Sequence, residues 1–320
     1  MCCAVAVSDD PWFAAVLELA TLPPEAVSSD PELDALLTPV DPGDWRVADL
    51  DVTEAAAPGP HGEVRVRIYR PEGEPEGWLV WLHGGAWAFG ELDMPEGDAT
   101  AREVCARGRR VVVSVDYRLA VGGVHYPVPL DDVVAAVSWG AEQAGGPVAL
   151  GGASAGANLA AGATLRLRDE GRAVPSRLLL LYPALHPVLP PPSAELAAKL
   201  ATLSPLARFD ARIYRPLVEN YLGAPVSAAP AYAMPASAHL SGLPPTLIHN
   251  AEYDGLRASG EAFAEQLERA GVAVHLSCAP DVAHGHLNAP WLPQCSASID
   301  EMVTFLRADP QPPALRFQPT

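Results

Sequence analysis

Hydrophobic and polar residues follow two different periods along this chain. Residues 63–70 (EVRVRIYR) alternate between polar and apolar side chains, which predicts a half-buried β-strand. Several other runs are almost wholly apolar, as expected for strands buried on both faces of a parallel sheet. These runs are 77–82 (GWLVWL), 110–116 (RVVVSVD), 147–150, 177–182 and 246–249.

Two other stretches have apolar residues at helical spacing, which is i, i+3, i+4, i+7. The first comprises Leu130, Val133, Val134 and Val137, and the second comprises Ile299, Met302, Val303 and Leu306. Strands and helices that alternate in this way predict an α/β fold, with a doubly wound sheet and helices on both of its faces.

The same alternation divides the chain into a core, an insertion and two terminal segments. Residues 46–184 and 230–308 carry it and are predicted to form one α/β core. Residues 185–229 interrupt it with clustered prolines and two helix-like stretches, and we expect a cap insertion there. Residues 1–45 read as two short cap helices, which either cover an edge of the core or act as a lid over a pocket. The proline-rich tail, 309–320, is expected to be poorly ordered.

The net charge of the chain disfavours some classes of binding partner. The 320 residues include 21 Lys and Arg against 39 Asp and Glu, so the net charge is −18. An acidic surface repels phosphate backbones and anionic lipid headgroups, which disfavours nucleic acid and membrane partners. A neutral or weakly polar small molecule is a better match, although solubility alone explains such a charge.

The five cysteines are scattered, odd in number and lack metal-ligand spacing with histidines. Free thiols in a reducing compartment are the simplest interpretation. We find no signal-peptide pattern near the start and no apolar run that approaches the ~20 residues of a membrane helix. These features predict a cytoplasmic protein.

A glycine-rich turn at 152–156 (GASAG) lies between an apolar strand and the helical stretch 157–168. A sharp strand-to-helix turn of this type exposes the hydroxyl of its central residue, here Ser154, as a nucleophile. Glycines on both sides permit close approach of strand and helix. The alternative is a small-residue turn around a buried serine, but the flanking strand and helix favour a nucleophile.

A second glycine motif, HGGAW at 83–87, directly follows the strand at 77–82. An acyl-transfer enzyme needs backbone N–H groups that hold the oxyanion of its tetrahedral intermediate. Gly84 and Gly85 are candidate donors for this oxyanion hole, and Ala155, directly after the candidate nucleophile, is a third. An ordinary glycine turn is the alternative, and the position one strand before G-x-S-x-G argues against it.

Five motifs in order resemble the hormone-sensitive-lipase-like esterases, the α/β-hydrolase branch with an HGGG oxyanion loop. They are HGGAW at 83–87, DYRLA at 116–120, GASAGANLA at 152–160, EYDGLR at 252–257 and HGH at 284–286. The resemblance extends over about 77–306. It implies an α/β-hydrolase fold, with a mostly parallel central sheet of about eight strands, flanking helices and a helical cap.

The resemblance also assigns partners to Ser154, because the acid and the histidine follow the serine in this fold. It implies that Asp254 is the acid, placed at the end of a predicted strand, and that His284 is the general base. Glu252 is the nearest rival for the acid, and Asp281 is a weaker one. His286 competes with His284 but aligns with an apolar position of the family, and His83 is expected to brace the oxyanion loop.

The chain departs from the family pattern at several positions. Ala86 replaces the third glycine of HGGG, and its methyl group either narrows the acyl pocket or has no effect. Ala153 and Ala157 replace an acidic residue and a glycine around the serine. Residues 121–126 (VGGVHY) differ from the usual proline and acid after DYRLA. No triad member is lost, so these changes bear on substrate choice and efficiency.

The resemblance implies a serine carboxylesterase that hydrolyses short-chain acyl esters through an acyl-enzyme, without metal or organic cofactor. A deacylase or lactonase for a specialised metabolite would use the same residues. A non-hydrolysing ligand receptor is a third hypothesis, and the presence of His284 argues against it. The resemblance is also compatible with a homodimer.

Overall fold

A computed structural model of the chain describes residues 46–203 and 208–308. The predicted N-terminal helices within 1–45 and the predicted tail at 309–320 lie outside the described residues. The described part is an eight-stranded sheet with helices on both faces, which confirms the predicted α/β class.

The strands and helices are numbered here in chain order. The strands are β1 (Asp51–Ala57), β2 (Val64–Arg70), β3 (Trp78–Leu82), β4 (Val111–Val115), β5 (Ala149–Ala153), β6 (Leu178–Leu181), β7 (Thr246–Tyr253) and β8 (Val274–Ala283). The helices are α1 (Asp98–Gly108), α2 (Val128–Ala144), α3 (Ala155–Asp169), α4 (Ala194–Leu200), α5 (Ala211–Leu222), α6 (Arg257–Arg269) and α7 (Pro293–Arg307).

The sheet has the strand order β1-β2-β4-β3-β5-β6-β7-β8. Strands β3 to β8 run parallel to one another, whereas β2 is antiparallel to both β1 and β4. The hydrophobic pattern did not predict β1, because most of its side chains (DVTEAAA) are exposed. It forms through pairing with β2 along its whole length.

Both faces of the central strands are buried, which explains their uninterrupted apolar runs. In β3, Leu79 and Trp81 pack on one face while Val80 and Leu82 pack on the other. Helices α2, α3 and α6 cover the face of Val80, and α1 and α7 cover the face of Leu79. The apolar rows predicted at helical spacing in α2 and α7 are all buried, as expected.

Helices α1 and α6 were not singled out by hydrophobic spacing. The buried face of α1 includes Thr100 and Glu103, and that of α6 includes Ser259 and Gly260. Small and polar residues on a buried face give no apolar stripe, so periodicity does not detect these helices.

Strands β5 and β7 extend beyond their predicted ends, and with β8 they reach the predicted functional residues. Strand β5 continues through Gly151 and Gly152 to Ala153, β7 continues to Tyr253, and β8 continues to Ala283. The glycines and polar residues at these ends resemble a loop in sequence. The carboxyl ends of parallel strands meet at one edge of a sheet, where open α/β folds gather functional groups.

The predicted insertion at 185–229 contains two helices, α4 and α5. Its prolines at 187–192 precede α4, and α5 buries Tyr214, Leu217 and Tyr221. The division of the chain into core and cap remains a prediction.

Helix α3 packs so closely on β3 that one contact excludes any side chain. A Cβ atom at Gly156, in the first turn of α3, would lie 2.3 Å from the carbonyl oxygen of Leu82 and 2.4 Å from that of His83. Gly156 therefore sets the distance between the turn that carries Ser154 and the strand that precedes His83.

We expect Gly156→Ala to lower the free energy of unfolding by about 1–3 kcal/mol, because the added methyl group overlaps backbone oxygens. This is the net loss that remains after the roughly 1 kcal/mol by which alanine is favoured over glycine in a helix. Gly146→Ala is the control, since nothing lies within 4 Å of a Cβ there. Urea denaturation measures both, and equal stabilities of the two variants would contradict this packing argument.

Candidate active site

Three side chains that are distant in the sequence meet at the carboxyl edge of the sheet. The Ser154 Oγ lies 2.9 Å from His284 Nε2, and His284 Nδ1 lies 2.8 Å from Asp254 Oδ2. Nδ1 donates its proton to the carboxylate, so Nε2 accepts from the serine hydroxyl. This arrangement allows the imidazole to remove the hydroxyl proton.

Ser154 occupies a strained turn between β5 and α3. Its backbone has φ 53° and ψ −116°, a conformation that non-glycine residues rarely adopt. The turn is held by hydrogen bonds from Ser154 N to Leu181 O (2.9 Å) and from Asn158 N to Ser154 O (3.1 Å). The side chain is thereby placed beside the N-terminus of α3, whose first N–H groups have no intrahelical partner.

Asp254 directly follows β7 and is fully buried. Its Oδ1 accepts a hydrogen bond from Leu256 N at 2.8 Å, and its Oδ2 accepts from His284. Both oxygens therefore have donors, which compensates for removing the carboxylate from water. The fixed carboxylate in turn fixes the orientation and tautomer of the imidazole.

His284 directly follows β8 and is held between two aromatic rings. Tyr182 packs edge-on at 5.1 Å between ring centroids, and Phe209 packs at 4.5 Å. Burial lowers the pKa of His284, but the charge and hydrogen bond of Asp254 and the charge of Glu96 raise it, with a net result above the ordinary value. The site therefore favours a proton on this imidazole more than water does.

The oxyanion loop differs from the sequence-based assignment at Gly84. The Gly84 N–H donates to the buried carboxylate of Glu96 at 2.5 Å, so it is not a free donor for an oxyanion. Within 46–203 and 208–308, the backbone N–H groups of Gly85 and Ala86 have no hydrogen-bond partner. The N–H of Ala155, the first residue of α3, also has no hydrogen-bond partner in the described part of the chain. The donors available in this loop are thus Gly85 and Ala86.

Ala86, which replaces the third glycine of HGGG, packs against the insertion. Ala86 has φ 52°, a left-handed conformation, and packs, as Phe209 does, against Ile213 and Leu217 of the insertion. The neighbouring Trp87 also has a positive φ, 61°. The residue that departs from HGGG is therefore in contact with the segment predicted to be a cap.

Trp87 fixes the position of the end of the oxyanion loop. Its ring stacks on Tyr221 of α5 at 4.7 Å with an interplanar angle of 6°, and its Nε1 donates to Asn158 Oδ1 at 3.1 Å. Its carbonyl oxygen accepts from Ala120 N at 2.7 Å. The loop is therefore clamped between the insertion, α3 and the residues that follow β4.

His83 has the contacts expected of a brace. It is fully buried, its Nδ1 donates to Gly84 O at 2.6 Å, and its ring stacks on Tyr117 at 4.5 Å. Burial lowers the pKa of His83 to about 4, so the ring is neutral near pH 7.

The rival residues have other partners. Glu252 forms an ion pair with Lys199 of α4 and accepts a hydrogen bond from Asp281 N at 2.6 Å. Asp281 is exposed. His286 Nε2 is hydrogen-bonded to Ser298 Oγ at 2.9 Å, and burial lowers the pKa of His286 to about 3.

The altered segment 121–126 is attached to the insertion. His125 Nδ1 donates to Asn220 O at 2.7 Å, and Tyr126 N donates to Tyr221 O, also at 2.7 Å. Ala153 and Ala157, the other departures, are both fully buried beside the serine. The remodelled loop therefore contacts the helix that stacks on Trp87.

Tyr182, Glu96 and Phe209 contact the predicted triad or the oxyanion loop but were not predicted from the sequence. Tyr182 follows β6 directly, and its place at the carboxyl end of a central strand was a usable signal. Glu96 and Phe209 lie in loops, and nothing in their local sequence predicts that they reach the site.

The described ranges contain neither a candidate metal site nor a candidate membrane span. No group of three or more His, Cys, Asp or Glu side chains within 46–203 and 208–308 could hold a metal ion. No helix in this part of the chain is long and apolar enough to cross a membrane.

The chain is similar to known α/β-hydrolases in sequence and in fold. Residues 79–288 match a family described as having the alpha/beta hydrolase fold. Carboxylic ester hydrolase LipN of Mycobacterium tuberculosis is 37% identical over 277 residues, which covers 81% of this chain and 70% of LipN. Carboxylesterase NlhH of the same species is 36% identical over 242 residues, which covers 71% of this chain and 72% of NlhH.

Solved esterase structures have the same fold. A hyperthermophilic esterase from the archaeon Pyrobaculum calidifontis has a TM-score of 0.73 and 28% identity, over 93% of this chain and 97% of that one. The carboxylesterase EstE1, cloned from a metagenomic library, has a TM-score of 0.74 and 28% identity, over 89% and 97%. By sequence and by fold, this chain belongs to the hormone-sensitive-lipase-like family of the α/β-hydrolase superfamily.

Proposed function

We propose that this protein is a serine carboxylesterase with Ser154, His284 and Asp254 as its catalytic triad. The observation that carries the proposal is the unbroken chain of hydrogen bonds from the Ser154 hydroxyl through His284 to the buried Asp254. Relatives named carboxylic ester hydrolase, carboxylesterase and esterase support ester hydrolysis.

Acylation begins when Ser154 Oγ attacks the ester carbonyl carbon and His284 Nε2 takes the hydroxyl proton. The carbonyl electron pair moves to oxygen, and the N–H groups of Gly85, Ala86 and Ala155 stabilise the oxyanion. Asp254 stabilises the imidazolium. Collapse of the intermediate breaks the bond to the alcohol oxygen, which receives the proton from His284.

Deacylation repeats the sequence with water as the nucleophile. His284 removes a proton from water, and the resulting attack on the acyl carbon regenerates the oxyanion in the same cradle. The acid then leaves, and the proton returns to Ser154. All of these steps use protein groups and water, so we expect no metal or organic cofactor to take part.

The substrate is proposed to be a small ester with a short acyl group. An apolar cluster formed by Ala86, Phe209, Ile213 and Leu217 lies beside the oxyanion loop, and such a surface favours apolar substituents over charged ones. We assign this wall to the cap insertion, 185–229. The cytoplasmic location and the homodimer stay predictions.

We expect Ser154→Ala to abolish turnover of p-nitrophenyl butyrate and the initial burst of p-nitrophenolate, because no acyl-enzyme can form. Labelling by a fluorophosphonate probe should be lost as well, while the circular dichroism spectrum stays native. Ser138→Ala is the control, since Ser138 Oγ donates to Val134 O within α2. Full activity in Ser154→Ala would refute the assignment of the nucleophile.

Substitution of Asp254 and of Glu252 can show which carboxylate is the acid of the triad. Asp254→Asn should reduce kcat by roughly 10³–10⁴-fold, because the amide can donate a hydrogen bond and so stabilise the wrong tautomer of His284. Glu252→Gln should retain most of the activity, because Glu252 pairs with Lys199 and not with the imidazole. Steady-state kinetics on the same ester decide the matter, and the reverse order of effects would make Glu252 the acid.

The pH profile should report on His284. The general base must be neutral, so kcat/KM should fall as the pH decreases through the pKa of His284. Since Asp254 and Glu96 raise that pKa above its ordinary 6.5, the midpoint of this acid limb should lie above pH 6.5. A profile of kcat/KM from pH 4 to 9 measures it, and a midpoint near pH 5 would contradict the electrostatic analysis.

A further inference from the structure

Glu96 joins four parts of the site and is only 2% exposed. Its backbone N–H donates to Asn288 Oδ1 at 3.2 Å, and its carbonyl accepts from Trp81 Nε1 at 2.8 Å. Its side-chain Oε1 accepts from the Tyr182 hydroxyl at 2.5 Å, and Oε2 accepts from Gly84 N, also at 2.5 Å. The residue therefore ties the oxyanion loop to β3, to the end of β6 and to the loop that carries His284.

A buried carboxylate is costly unless donors compensate for the loss of water. Burial raises the pKa of Glu96 above its ordinary value, and the hydrogen bonds from Tyr182 and Gly84 and the charge of His284 offset that rise only in part. The Gly84 N–H can only donate, so it favours the ionised carboxylate. If Glu96 served only to stabilise the fold, an apolar side chain could do so at a lower desolvation cost. The groups that its carboxylate contacts therefore bear on its role.

One contact of Glu96 acts on the shape of the oxyanion loop. Gly84 lies directly against the nucleophile, since a Cβ atom built on it would be 3.1 Å from the Cβ of Ser154. Glu96 engages the N–H of Gly84 and leaves those of Gly85 and Ala86 free. The carboxylate thus determines which amides of the loop are available as donors.

The other contact acts on the imidazole. Tyr182, which donates to Glu96, packs edge-on against His284. The charge of Glu96 also raises the pKa of His284, in addition to the larger effect of Asp254. Both ring nitrogens of His284 are already engaged by Ser154 and Asp254, so Glu96 acts on the ring through space.

We propose that Glu96 is a positioning residue of the esterase reaction: its carboxylate fixes the oxyanion loop through Gly84 and stabilises the positive charge that His284 acquires during acylation. This inference rests on the proposed function. It assigns to one buried acid two effects that the triad and the loop do not supply by themselves.

The other titratable groups near this pair stay neutral around pH 7. Tyr182 and Tyr117 face Glu96, and burial raises the pKa of each well above its ordinary value. Cys295 also faces Glu96, with a pKa raised to about 12 by burial. His286 faces His284 with a pKa of about 3. Besides Asp254, Glu96 is therefore the group of this set whose charge bears on the acid limb.

The first test is Glu96→Gln, which keeps the shape of the side chain and removes the charge. Loss of a nearby negative charge destabilises the imidazolium, so the pKa of His284 should fall. The acid limb of kcat/KM should then move to lower pH by on the order of 0.5–1 unit. Glu103→Gln is the matched control, because this carboxylate in α1 is 9% exposed and pairs with Arg107 outside the site.

The second test is Glu96→Asp, which keeps the charge and shortens the side chain by one methylene. The shorter carboxylate cannot reach both Gly84 N and the Tyr182 hydroxyl, so the loop loses its fixed geometry. We expect kcat to fall roughly 10–100-fold, less than the loss of a whole oxyanion donor. KM should change little and the acid limb should stay near its wild-type position, because the effect arises in the transition state.

The outcomes separate this inference from the function on which it rests. A wild-type protein without esterase activity and without fluorophosphonate labelling would end the proposed function. An active, labelled wild-type enzyme with an unshifted acid limb in Glu96→Gln and a normal kcat in Glu96→Asp would overturn the role of Glu96 alone. If only one variant folds, as judged by circular dichroism, its own result decides. If neither folds, Glu96 is a structural residue and the proposal is wrong.

Discussion

The imidazole of His284 is the point on which the site depends, because both of its nitrogens are engaged by groups from different parts of the chain. Asp254 comes from the end of β7, and Ser154 comes from the turn between β5 and α3. In the proposed mechanism the ring is transiently protonated to an imidazolium, and its buried environment disfavours that positive charge. The fold offsets this cost with carboxylates.

Those carboxylates differ in what they contact. Asp254 accepts a hydrogen bond from the imidazole. Glu96 makes no hydrogen bond to it, and acts on it through its charge and through Tyr182, which donates to Glu96 and packs on the imidazole ring. Glu96 is also hydrogen-bonded to Gly84, so the charge beside the base and the shape of the oxyanion loop share one residue. Ala86 of the same loop packs against Ile213 and Leu217 of the insertion. The same loop thus connects the residues of the proposed proton transfer to the insertion.

Apolar runs and glycine motifs predict much of this arrangement. The runs mark strands because a strand buried on both faces has no polar side to reveal, and the fold class follows from their alternation with helices. Helices whose buried faces carry small or polar residues are not predicted in this way, and α1, with Thr100 and Glu103 buried, is an example. Strand β1 is not predicted either, because an otherwise exposed segment is stabilised there by pairing with β2.

By itself, the sequence determined the fold class, the family resemblance and the identity of Ser154, Asp254 and His284 as the residues to examine, because each lies in a local motif. Only the tertiary structure decided which amides of HGGAW are free, since Gly84 donates to a carboxylate twelve positions away. It also decided that Tyr182 and Phe209 flank the imidazole. Contacts of this kind join residues with no fixed sequence spacing, and they exist only after the strand ends and the insertion have converged.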